Sequence, residues 1–450
     1  ILNATIESAR LQRGLVTSKK SDKNIMQLLE EISDIFSISA EIKKIDFYCH
    51  IQPKLQKIIG KIDVIHLQQV LGNLVDNAIK FTDKGSVTLW ASIRSTKDKD
   101  DEAKIFFAIE DTGIGVAKDN QENIFKPFMQ VSGDEQGKPA GSGLGLEISK
   151  KLVSLMGGEL ELSSQLGKGS RFSFSIPCQI REDEQQRQPR IDTNEVVLIV
   201  CKKGRIFEVL NMYLKYMGAQ VDYAENLKDV NRKQRYQLSF IQESLLTDLD
   251  FFDNFYNENM GKSIVILSQE TSKTTPLKQA KYWYAPYLFS DLIDFSISAG
   301  ITNIPKKQAV ESFKNEKAQT EHGLAYLLER KKILIVDDDP MNLLLLKMQL
   351  KKMGLRQYTE AMNGKEAFEM ITHENSFDLV ITDINMPQLN GYELAKLIKA
   401  SYPKIKVVGV TAMQKSEAKI GQEYFDQILL KPCSFEKIFK CINNQLITKK

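Results

Sequence analysis

The feature that most constrains the fold is a rhythm of apolar strands and helices that occurs twice in the second half of the chain. Each copy begins with an apolar strand and continues with a helix that ends at a Met-Gly pair, Met217-Gly218 or Met353-Gly354. A short strand follows, and then another apolar strand at residues 238–241 or 379–382. This alternation predicts two doubly wound (βα)5 domains, each a parallel sheet with helices on both faces.

The bulk composition limits the class of protein. The chain has 450 residues and a net charge of +3, from 61 basic and 58 acidic side chains. This near-balance gives no electrostatic reason to expect nucleic acid or a membrane surface as the main partner. No apolar run approaches the ~18 residues that span a bilayer. The five scattered cysteines form neither a CxxC pair nor a disulfide framework, so we expect a reducing, cytoplasmic environment.

Two polar segments divide the chain into blocks. Residues 181–194 are charged and hold a proline, and residues 301–331 mix lysine, glutamate, glutamine and proline. Both have the composition of linkers. Residues 1–14 have the apolar spacing of a helix that starts before Ile1, so we expect a fragment of a longer protein. The predicted domains are 21–180, 195–300 and 332–450.

A helix predicted from His66 to Phe81 carries three polar side chains on one face. Asn73, Asn77 and Lys80 lie at i, i+4 and i+7, while the apolar side chains occupy a different stripe. Two amides and an ammonium in a row suit a divalent cation and a polyphosphate. A plain solvated face would show the same pattern, so the helix alone leaves both interpretations open.

Two glycine-rich segments follow this helix. A predicted strand runs into Asp111, with Gly113 and Gly115 close behind. An acid at a strand end can accept the exocyclic amine of adenine, and glycines let the backbone pass close to a flat ring. The second segment, residues 141–146, opens another helix, where backbone N–H groups bind phosphate. A flexible turn would explain either segment equally well in isolation.

Together these motifs resemble the catalytic ATP-binding domain of sensor histidine kinases, in the GHKL superfamily. Five motifs occur in the family order. They are the N box at 73–82, the first glycine box at 111–115, the F box at 125–128, the second glycine box at 141–146 and the terminal glycine element at 167–172. The resemblance implies an N-terminal α/β sandwich, in which a mixed sheet packs against helices.

The resemblance also implies a role for each matching residue. Asn77 would ligate Mg²⁺, Asn73 would orient phosphate or water beside it, and Lys80 would contact a phosphate. Asp111 would bind the adenine amine, and residues 117–140 would form a mobile lid. The other implied ATP contacts are Gly113 and Gly115 beneath the ring, Phe125 and Phe128 as apolar anchors of the lid, and Gly141, Gly143, Leu144 and Gly145 along the triphosphate. Ordinary core packing is the alternative for the two phenylalanines.

In the third block, polar side chains follow the ends of four predicted strands. The first strand is followed by Asp337 and Asp338, whose adjacent carboxylates repel unless a cation lies between them. The other three strands end at Asp383, Thr411 and Lys431. Because parallel strands end at one edge of a sheet, these groups should meet there. Carboxylates, a hydroxyl and an ammonium together predict a site for Mg²⁺ and a phosphoryl group.

This block resembles a response-regulator receiver domain, which has a flavodoxin-like fold. Residues 383–387 match the motif around the family's phosphorylated aspartate. The resemblance implies that Asp383 is the nucleophile that accepts phosphate. The other implied roles are Mg²⁺ binding by Asp337, Asp338, Asp383 and the Asn385 carbonyl, and contact with phosphoryl oxygens by Thr411 and Lys431.

Two further expectations come from the receiver resemblance. The family often has a cis peptide at the position of Lys431-Pro432, so we expect one here. It usually has Tyr or Phe three residues before the lysine as a rotating switch, whereas this chain has Ile428. The departure predicts that phosphorylation is reported differently or that the domain relays phosphate onward.

The middle block has the same frame without the chemistry. Cys201-Lys202 stands where the acidic pair would be, and Gln242 stands at the nucleophile position. Ser268 takes the threonine position, and Ala285-Pro286 falls where Lys-Pro would be. Without carboxylates to hold Mg²⁺ we expect no phosphorylation, and we interpret the block as a degenerate receiver used as a spacer or docking surface.

Histidine kinases transfer the γ-phosphoryl group of ATP to a histidine on a dimeric helical hairpin before the ATP-binding domain. The chain has four histidines, His50, His66, His322 and His373, and none stands at that position. The resemblance implies that residues 1–20 are the end of this hairpin, so we expect the acceptor histidine just upstream of Ile1. The chain alone should bind ATP without phosphorylating itself.

The predicted function is the ATP-dependent kinase core and receiver of a two-component phosphorelay, with ATP and Mg²⁺ as cofactors. The implied partners are the upstream hairpin, a second copy of the kinase, and a histidine phosphotransfer protein or response regulator. An anchor at the inner face of the plasma membrane stays open for the full-length protein. One alternative is a regulatory module whose Asp383 is phosphorylated by another kinase. Another is a GHKL ATPase of the chaperone or mismatch-repair kind, against which the F box and the trailing receivers argue.

Replacing Asn77 with alanine is expected to weaken Mg²⁺-dependent ATP binding strongly, by roughly tenfold or more, because it removes the proposed metal ligand. Isothermal titration calorimetry with ATP measures the affinity, and the same titration without Mg²⁺ is the control. An unchanged affinity would contradict this assignment of the site.

Overall fold

The computed structural model describes most of the chain in two compact units, residues 1–312 and 313–450. The described residues are 13, 16–95, 102–129, 143–183, 186, 188–191, 195–231, 233–246, 260–268, 280–302, 331–352, 355, 358–374, 377–411, 422–431, 433 and 435–446. Among them, no helix combines the length and the apolar character needed to cross a membrane.

The first unit opens with a seven-stranded mixed sheet. Its strands are β1 (Ser21–Asn24), β2 (Asp46–Ile51), β3 (Ile58–Ile62), β4 (Ser86–Ser95), β5 (Glu102–Asp111), β6 (Glu161–Gln165) and β7 (Gly169–Glu182). They lie in the order β1-β3-β7-β5-β4-β2, with β6 beside β7. The edge pair β2 and β4 is parallel, whereas β4, β5 and β7 pair antiparallel. The mixed sheet confirms the predicted fold class of this block.

Three helices bury their apolar stripes against this sheet. They are α1 (Ile25–Lys43), α2 (Val64–Phe81) and α3 (Gly145–Leu155). The α2 helix starts two residues earlier than the sequence predicted, because the Asp63 carboxylate accepts the backbone N–H of His66 and caps it. Leu67, Val70 and Leu71 on its apolar stripe are fully buried. Burial of that stripe turns the opposite, polar face of α2 away from the core.

A second sheet in the same unit is parallel throughout. Its strands are β8 (Val196–Val200), β9 (Gln220–Ala224), β10 (Tyr236–Gln242), β11 (Met260–Ser268) and β12 (Lys281–Tyr284), with helices α4 (Arg205–Tyr216) and α5 (Phe289–Ala299). The strand order is β12-β11-β10-β8-β9. The inner strands β8 and β10 are mostly buried, as expected for the middle of a sheet covered on both faces.

The second unit repeats this topology. Its strands are β13 (Ile333–Val336), β14 (Tyr358–Ala361), β15 (Leu379–Asp383), β16 (Lys406–Thr411) and β17 (Gln427–Leu430). Its helices are α6 (Pro340–Lys352), α7 (Gly364–Glu374), α8 (Gly391–Ser401) and α9 (Phe435–Leu446). The order β14-β13-β15-β16-β17 is that of the second sheet, position for position. Both predicted doubly wound folds are therefore present.

The segment predicted as the first linker is partly structured. Strand β7 continues through Glu182, because β3 pairs with it as far as the Ile58–Glu182 partners. Further on, Ile191 is buried and its N–H donates to the Met217 carbonyl at 2.8 Å. The polar composition of 181–194 therefore hid two residues of strand and one apolar anchor.

Helices α4 and α5 of the second sheet contact the first sheet and its helix α1 inside the same unit. The buried Tyr213 hydroxyl donates to the Cys49 carbonyl of the edge strand β2 at 3.2 Å. At the start of α5, the Ser290 N–H donates to the Glu30 carboxylate of α1 at 3.1 Å. The carboxyl oxygen thus satisfies a backbone donor at a helix N-terminus.

The stability of the first unit is expected to fall as the pH rises, because of Glu30. Burial raises the pKa of Glu30 from 4.5 to about 8. The folded state then holds a proton that the unfolded chain releases, so its stabilisation is complete below the unfolded pKa and is lost as the pH rises through about 8. Thermal unfolding between about pH 5 and pH 9 measures how steeply the unfolding temperature falls with pH.

Glu30→Gln keeps the acceptor oxygen but removes the titration, so its unfolding temperature should vary less over this range. Glu31→Gln is the matched control on the same helix, and we expect it to keep the wild-type slope. Equal slopes for wild type and Glu30→Gln would show that Glu30 is not the group responsible.

Candidate nucleotide and phosphoryl sites

The buried carboxylate of Asp111 lies at the end of β5 and is 8% exposed. Its Oδ1 accepts the N–H of Gly113 at 2.8 Å and the N–H of Ser170 at 3.3 Å. Burial raises the pKa of Asp111 above its ordinary value, and the two backbone hydrogen bonds offset part of that rise. Oδ2 takes part in neither bond, so it is the oxygen that could accept an adenine amine.

The glycines around Asp111 are required by the protein backbone itself. A Cβ on Gly113 would lie 2.3 Å from the Phe81 carbonyl oxygen. Gly115 has φ of +66°, and a Cβ there would lie 2.1 Å from the Gln165 carbonyl oxygen. Sequence reasoning expected these glycines to make room for a flat ring. The structure adds that the chain passes too close to its own backbone for a larger residue.

The polar face of α2 meets the start of α3. Asn73 Nδ2 lies 3.5 Å from the Gly145 carbonyl and 3.4 Å from the Ser149 hydroxyl. Asn77 and Lys80 lie further along the same face and are partly exposed, with Lys80 Nζ 5.4 Å from the centre of the Phe81 ring. The structure thus brings the N box and the described part of the second glycine box together.

The two F-box phenylalanines have different surroundings. Phe125 contacts the Phe172 ring edge-on at 6.3 Å, and Lys150 Nζ lies 4.9 Å from its centre. Phe128 is 62% exposed, and its N–H donates to the Gly143 carbonyl at 3.1 Å. Phe125 is therefore partly buried against Phe172, whereas Phe128 is not packed in the core. The rest of the predicted lid and Gly141 lie outside the described residues.

Carboxylates converge at the edge of the third sheet. Asp337, Asp338 and Asp383 each offer an oxygen within 4.8 Å of the others. Lys431 Nζ lies 2.8 Å from Asp337 Oδ2 and 2.8 Å from Asp383 Oδ2. One ammonium leaves three carboxylates undercompensated, and oxygen ligands suit a hard divalent cation. The donor set therefore fits Mg²⁺.

The charged pair at this edge has shifted ionisation. Burial raises the pKa of Asp383 above its ordinary value, and the hydrogen bond from Lys431 offsets part of the shift. Burial lowers the pKa of Lys431, but its bonds to Asp337 and Asp383 outweigh that effect, so its pKa lies above the ordinary value. Lys431 therefore stays cationic beside the proposed nucleophile.

The remaining predicted residues of this site also lie at the edge. Thr411 ends β16, and its buried carbonyl accepts the Lys431 N–H at 2.7 Å. The Asn385 N–H donates to Asp383 Oδ1 at 3.4 Å. Ile428 is partly buried against the apolar core. Pro432 lies outside the described residues, so the expected cis peptide stays a prediction.

One contact of this site was missed by sequence reasoning. Asn342 Nδ2 donates to Asp337 Oδ1 at 3.0 Å, and the Asp339 N–H donates to the same oxygen at 3.0 Å. Asn342 lies two residues after Pro340, in the first turn of α6. An amide in the turn that follows an acidic strand end was the available sequence clue. These two donors fix the orientation of Asp337.

The middle domain has no carboxylate at the positions equivalent to Asp337, Asp338 and Asp383. Gln242 Oε1 accepts the Lys202 N–H at 3.0 Å, where Asp383 stands in the third block. The Ala285 N–H donates to the Ser268 carbonyl at 3.1 Å, which parallels the bond from Lys431 to Thr411. The Ala285-Pro286 peptide is cis. Burial raises the pKa of Cys201 to about 12, so this thiol stays protonated.

None of the three described histidines lies on a helix that precedes the ATP-binding domain. His66 is buried, with Nδ1 2.8 Å from Asp63 Oδ2. His50 contacts Trp90 with ring centres 4.1 Å apart and the ring planes tilted by 32°. His373 is exposed in the last turn of α7, far along the chain from the predicted hairpin, and His322 lies outside the described residues.

Comparison with known proteins assigns two domains. Residues 62–180 match the family of histidine kinase-, DNA gyrase B- and HSP90-like ATPases. Residues 333–443 match the response regulator receiver domain. The chain thus has the two domains of a hybrid sensor histidine kinase, and the relatives it matches are kinases of this class.

Two of these relatives are bacterial sensors. Sensor histidine kinase RcsC of Escherichia coli K12 is 28% identical over 403 residues, which cover 88% of this chain and 39% of RcsC. Sensor protein GacS of Pseudomonas syringae is 24% identical over 462 residues, which cover 98% of this chain and 49% of GacS. The chain therefore spans less than half the length of these curated relatives.

One solved structure resembles nearly the whole chain. It is full-length ShkA in complex with AMPPNP, with a TM-score of 0.56 over 98% of this chain and 88% of ShkA. The sequences are 22% identical, so this likeness supports the fold alone.

A matched pair of glycine substitutions tests how tightly the Asp111 pocket is built. Gly167 and Gly169 both have positive φ, but a Cβ on Gly169 would lie 1.9 Å from the Asp111 carbonyl oxygen, whereas one on Gly167 would meet nothing within 4 Å. We expect Gly169→Ala to lower the free energy of unfolding by about 1–3 kcal/mol more than Gly167→Ala does. Urea unfolding measures both, and equal losses would contradict the close approach.

Proposed function

We propose that this chain is the ATP-binding core and the phosphate-accepting receiver of a hybrid histidine kinase. In this proposal, ATP bound near Asp111 supplies its γ-phosphoryl group to a histidine of the kinase, and Asp383 receives the group from that histidine. The phosphate then passes to a histidine phosphotransfer protein or a response regulator. Homodimerisation through a helical hairpin belongs to the same proposal.

The observation that carries this proposal is the surroundings of Asp383. Its carboxylate lies with two others and 2.8 Å from an ammonium at the carboxyl ends of parallel strands. Lys431 lies between two of these carboxylates and is only partly exposed. This arrangement supports a Mg²⁺–phosphoryl site, and the ATPase domain in the same chain supplies the source of phosphate.

At the nucleotide end, the protein has to bind and orient ATP. Asp111 would hold the adenine through Oδ2, which leaves Oδ1 on the backbone donors of Gly113 and Ser170. The polar face of α2 would meet the triphosphate, with Asn77 and Asn73 suited to Mg²⁺ and its water and Lys80 to a phosphate oxygen. The N–H groups at the start of α3 would add phosphate contacts.

At the receiving end, Asp383 attacks the phosphorus of a phosphohistidine. The new bond joins a carboxylate oxygen to phosphorus, and the bond from phosphorus to the histidine nitrogen breaks. Lys431 and Thr411 would contact the phosphoryl oxygens while the group transfers. Asp337, Asp338, Asp383 and the Asn385 carbonyl would hold Mg²⁺, which when bound neutralises charge on those oxygens.

The decisive experiment follows labelled γ-phosphate in the protein with its upstream region. Wild type should acquire two kinds of label, an acid-labile phosphohistidine and an alkali-labile acyl phosphate. Asp383→Asn should lose the second kind completely and keep the first, because the amide lacks the nucleophilic carboxylate. Asp378→Asn, which changes a carboxylate on the segment before the same strand, is the control and should keep both.

The outcomes also separate the alternative functions. Absence of any label from ATP, with Asp383 still modified by another kinase, would favour a regulatory module over a kinase. ATP hydrolysis without label on either residue would favour an ATPase of the chaperone or mismatch-repair kind. Label that persists at the acyl phosphate in Asp383→Asn would overturn the choice of nucleophile.

A further inference from the structure

The middle domain makes a charged contact with the strands that carry the adenine pocket. Arg205, the first residue of α4, donates from Nη2 to Glu110 Oε1 at 2.8 Å. Glu110 also accepts from Arg171, which stands opposite it on β7. One carboxylate of the first sheet therefore binds two guanidinium groups, one from its neighbouring strand and one from the middle domain.

The same two guanidinium groups also contact the aromatic ring of Trp90. The Arg205 guanidinium carbon lies 4.7 Å from the centre of the Trp90 ring, and that of Arg171 lies 5.2 Å from it. His50 contacts Trp90 from the adjacent strand. Cation–π contact adds to the ion pairs, and fixing each side chain by two partners narrows its rotamers. We call Arg205, Glu110, Arg171 and Trp90 the Trp90 cluster.

The Trp90 cluster lies one residue along the strands from Asp111 and Ser170, the residues at the proposed adenine site. Glu110 and Arg171 are cross-strand partners, and the next pair along the ladder is Asp111 and Ser170. Ser170 is the residue whose N–H donates to Asp111 Oδ1. Successive residues of a strand point to opposite faces, so the cluster clamps one face of the ladder while Asp111 lies on the other.

We propose that Arg205 is a positioning residue for nucleotide binding, through which the degenerate middle domain sets the adenine site of the ATPase domain. The inference rests on the proposed ATP binding near Asp111. Arg205 binds Glu110, and Glu110 in turn binds Arg171, so that the ion pairs bridge the strand ends from which Asp111 and Ser170 project. The middle domain is thus part of the nucleotide site rather than a passive spacer.

This placement predicts which ligands respond. The Trp90 cluster acts at the adenine end of the nucleotide. Its loss should therefore weaken the binding of ADP and of ATP by the same factor. A residue that touched the γ-phosphate would instead weaken ATP more than ADP. The comparison of the two nucleotides therefore separates positioning at Asp111 from a change along the triphosphate.

The test titrates ADP and ATP, with Mg²⁺, into wild type and variants of the full chain by isothermal titration calorimetry. Arg205→Ala should bind both nucleotides about fivefold more weakly, at the lower end of measured couplings between sites. Arg205→Lys keeps the positive charge but lacks the planar set of guanidinium donors, so it should lose less nucleotide affinity than Arg205→Ala. Lys215→Ala, an exposed cation at the other end of α4, is the matched control and should match wild type.

A double-mutant cycle decides whether Arg205 acts through Glu110. If it does, Arg205→Ala combined with Glu110→Gln should bind no more weakly than Glu110→Gln alone. Thermal unfolding of each variant identifies any that fail to fold, and Arg205→Lys then serves as the reporting variant. Affinities for both nucleotides within about twofold of wild type in Arg205→Ala and Arg205→Lys would overturn the inference. Absence of ATP binding in wild type would instead overturn the proposed function on which it rests.

Discussion

Buried apolar strands admit polar chemistry only at their ends, and both sites of this protein follow from that constraint. Strand β13 is fully buried along its length and contains no polar side chain. The first polar residues after it are Asp337 and Asp338. Strand β5 is likewise apolar on its inner face and ends at Asp111. A carboxylate inside either sheet would lose its hydration without gaining a partner. At the strand ends, backbone N–H groups, a lysine or a bound cation can compensate it.

The same constraint explains why the middle domain keeps the fold after losing the chemistry. Its sheet has the strand order of the receiver, and its equivalent backbone bond from Ala285 to Ser268 is intact. Packing of apolar strands and helices requires no carboxylates at the edge, so Gln242 and Cys201 are tolerated there. Its helices α4 and α5 instead supply contacts to the first sheet and its helix α1, through Tyr213, Arg205 and Ser290. The described part of this domain therefore has contacts to the first sheet and to α1 and no carboxylate at the positions of Asp337, Asp338 and Asp383.

Sequence patterns predicted the elements well wherever local chemistry defines them. Apolar periodicity and glycine placement predict helix α2, the strand ends at Asp111 and Asp383, and both doubly wound sheets. Predictions were less complete where a distant residue decides the outcome. The start of α2 depends on the cap from Asp63, and the extension of β7 to Glu182 depends on pairing with β3. Phe128 matched a motif, but its exposure depends on the loop around Gly143.

The sequence by itself determined the order of the motifs and predicted which residues carry chemistry, because motifs and periodicity are local properties. Only the tertiary structure decided how these residues are held. Lys431 reaches Asp337 across 94 positions of the chain, and Arg205 reaches Glu110 across 95. Such contacts depend on how strands converge and how domains dock, and no pattern along the chain encodes either partner. The contact between the middle domain and the strand that ends at Asp111 therefore became visible only in three dimensions.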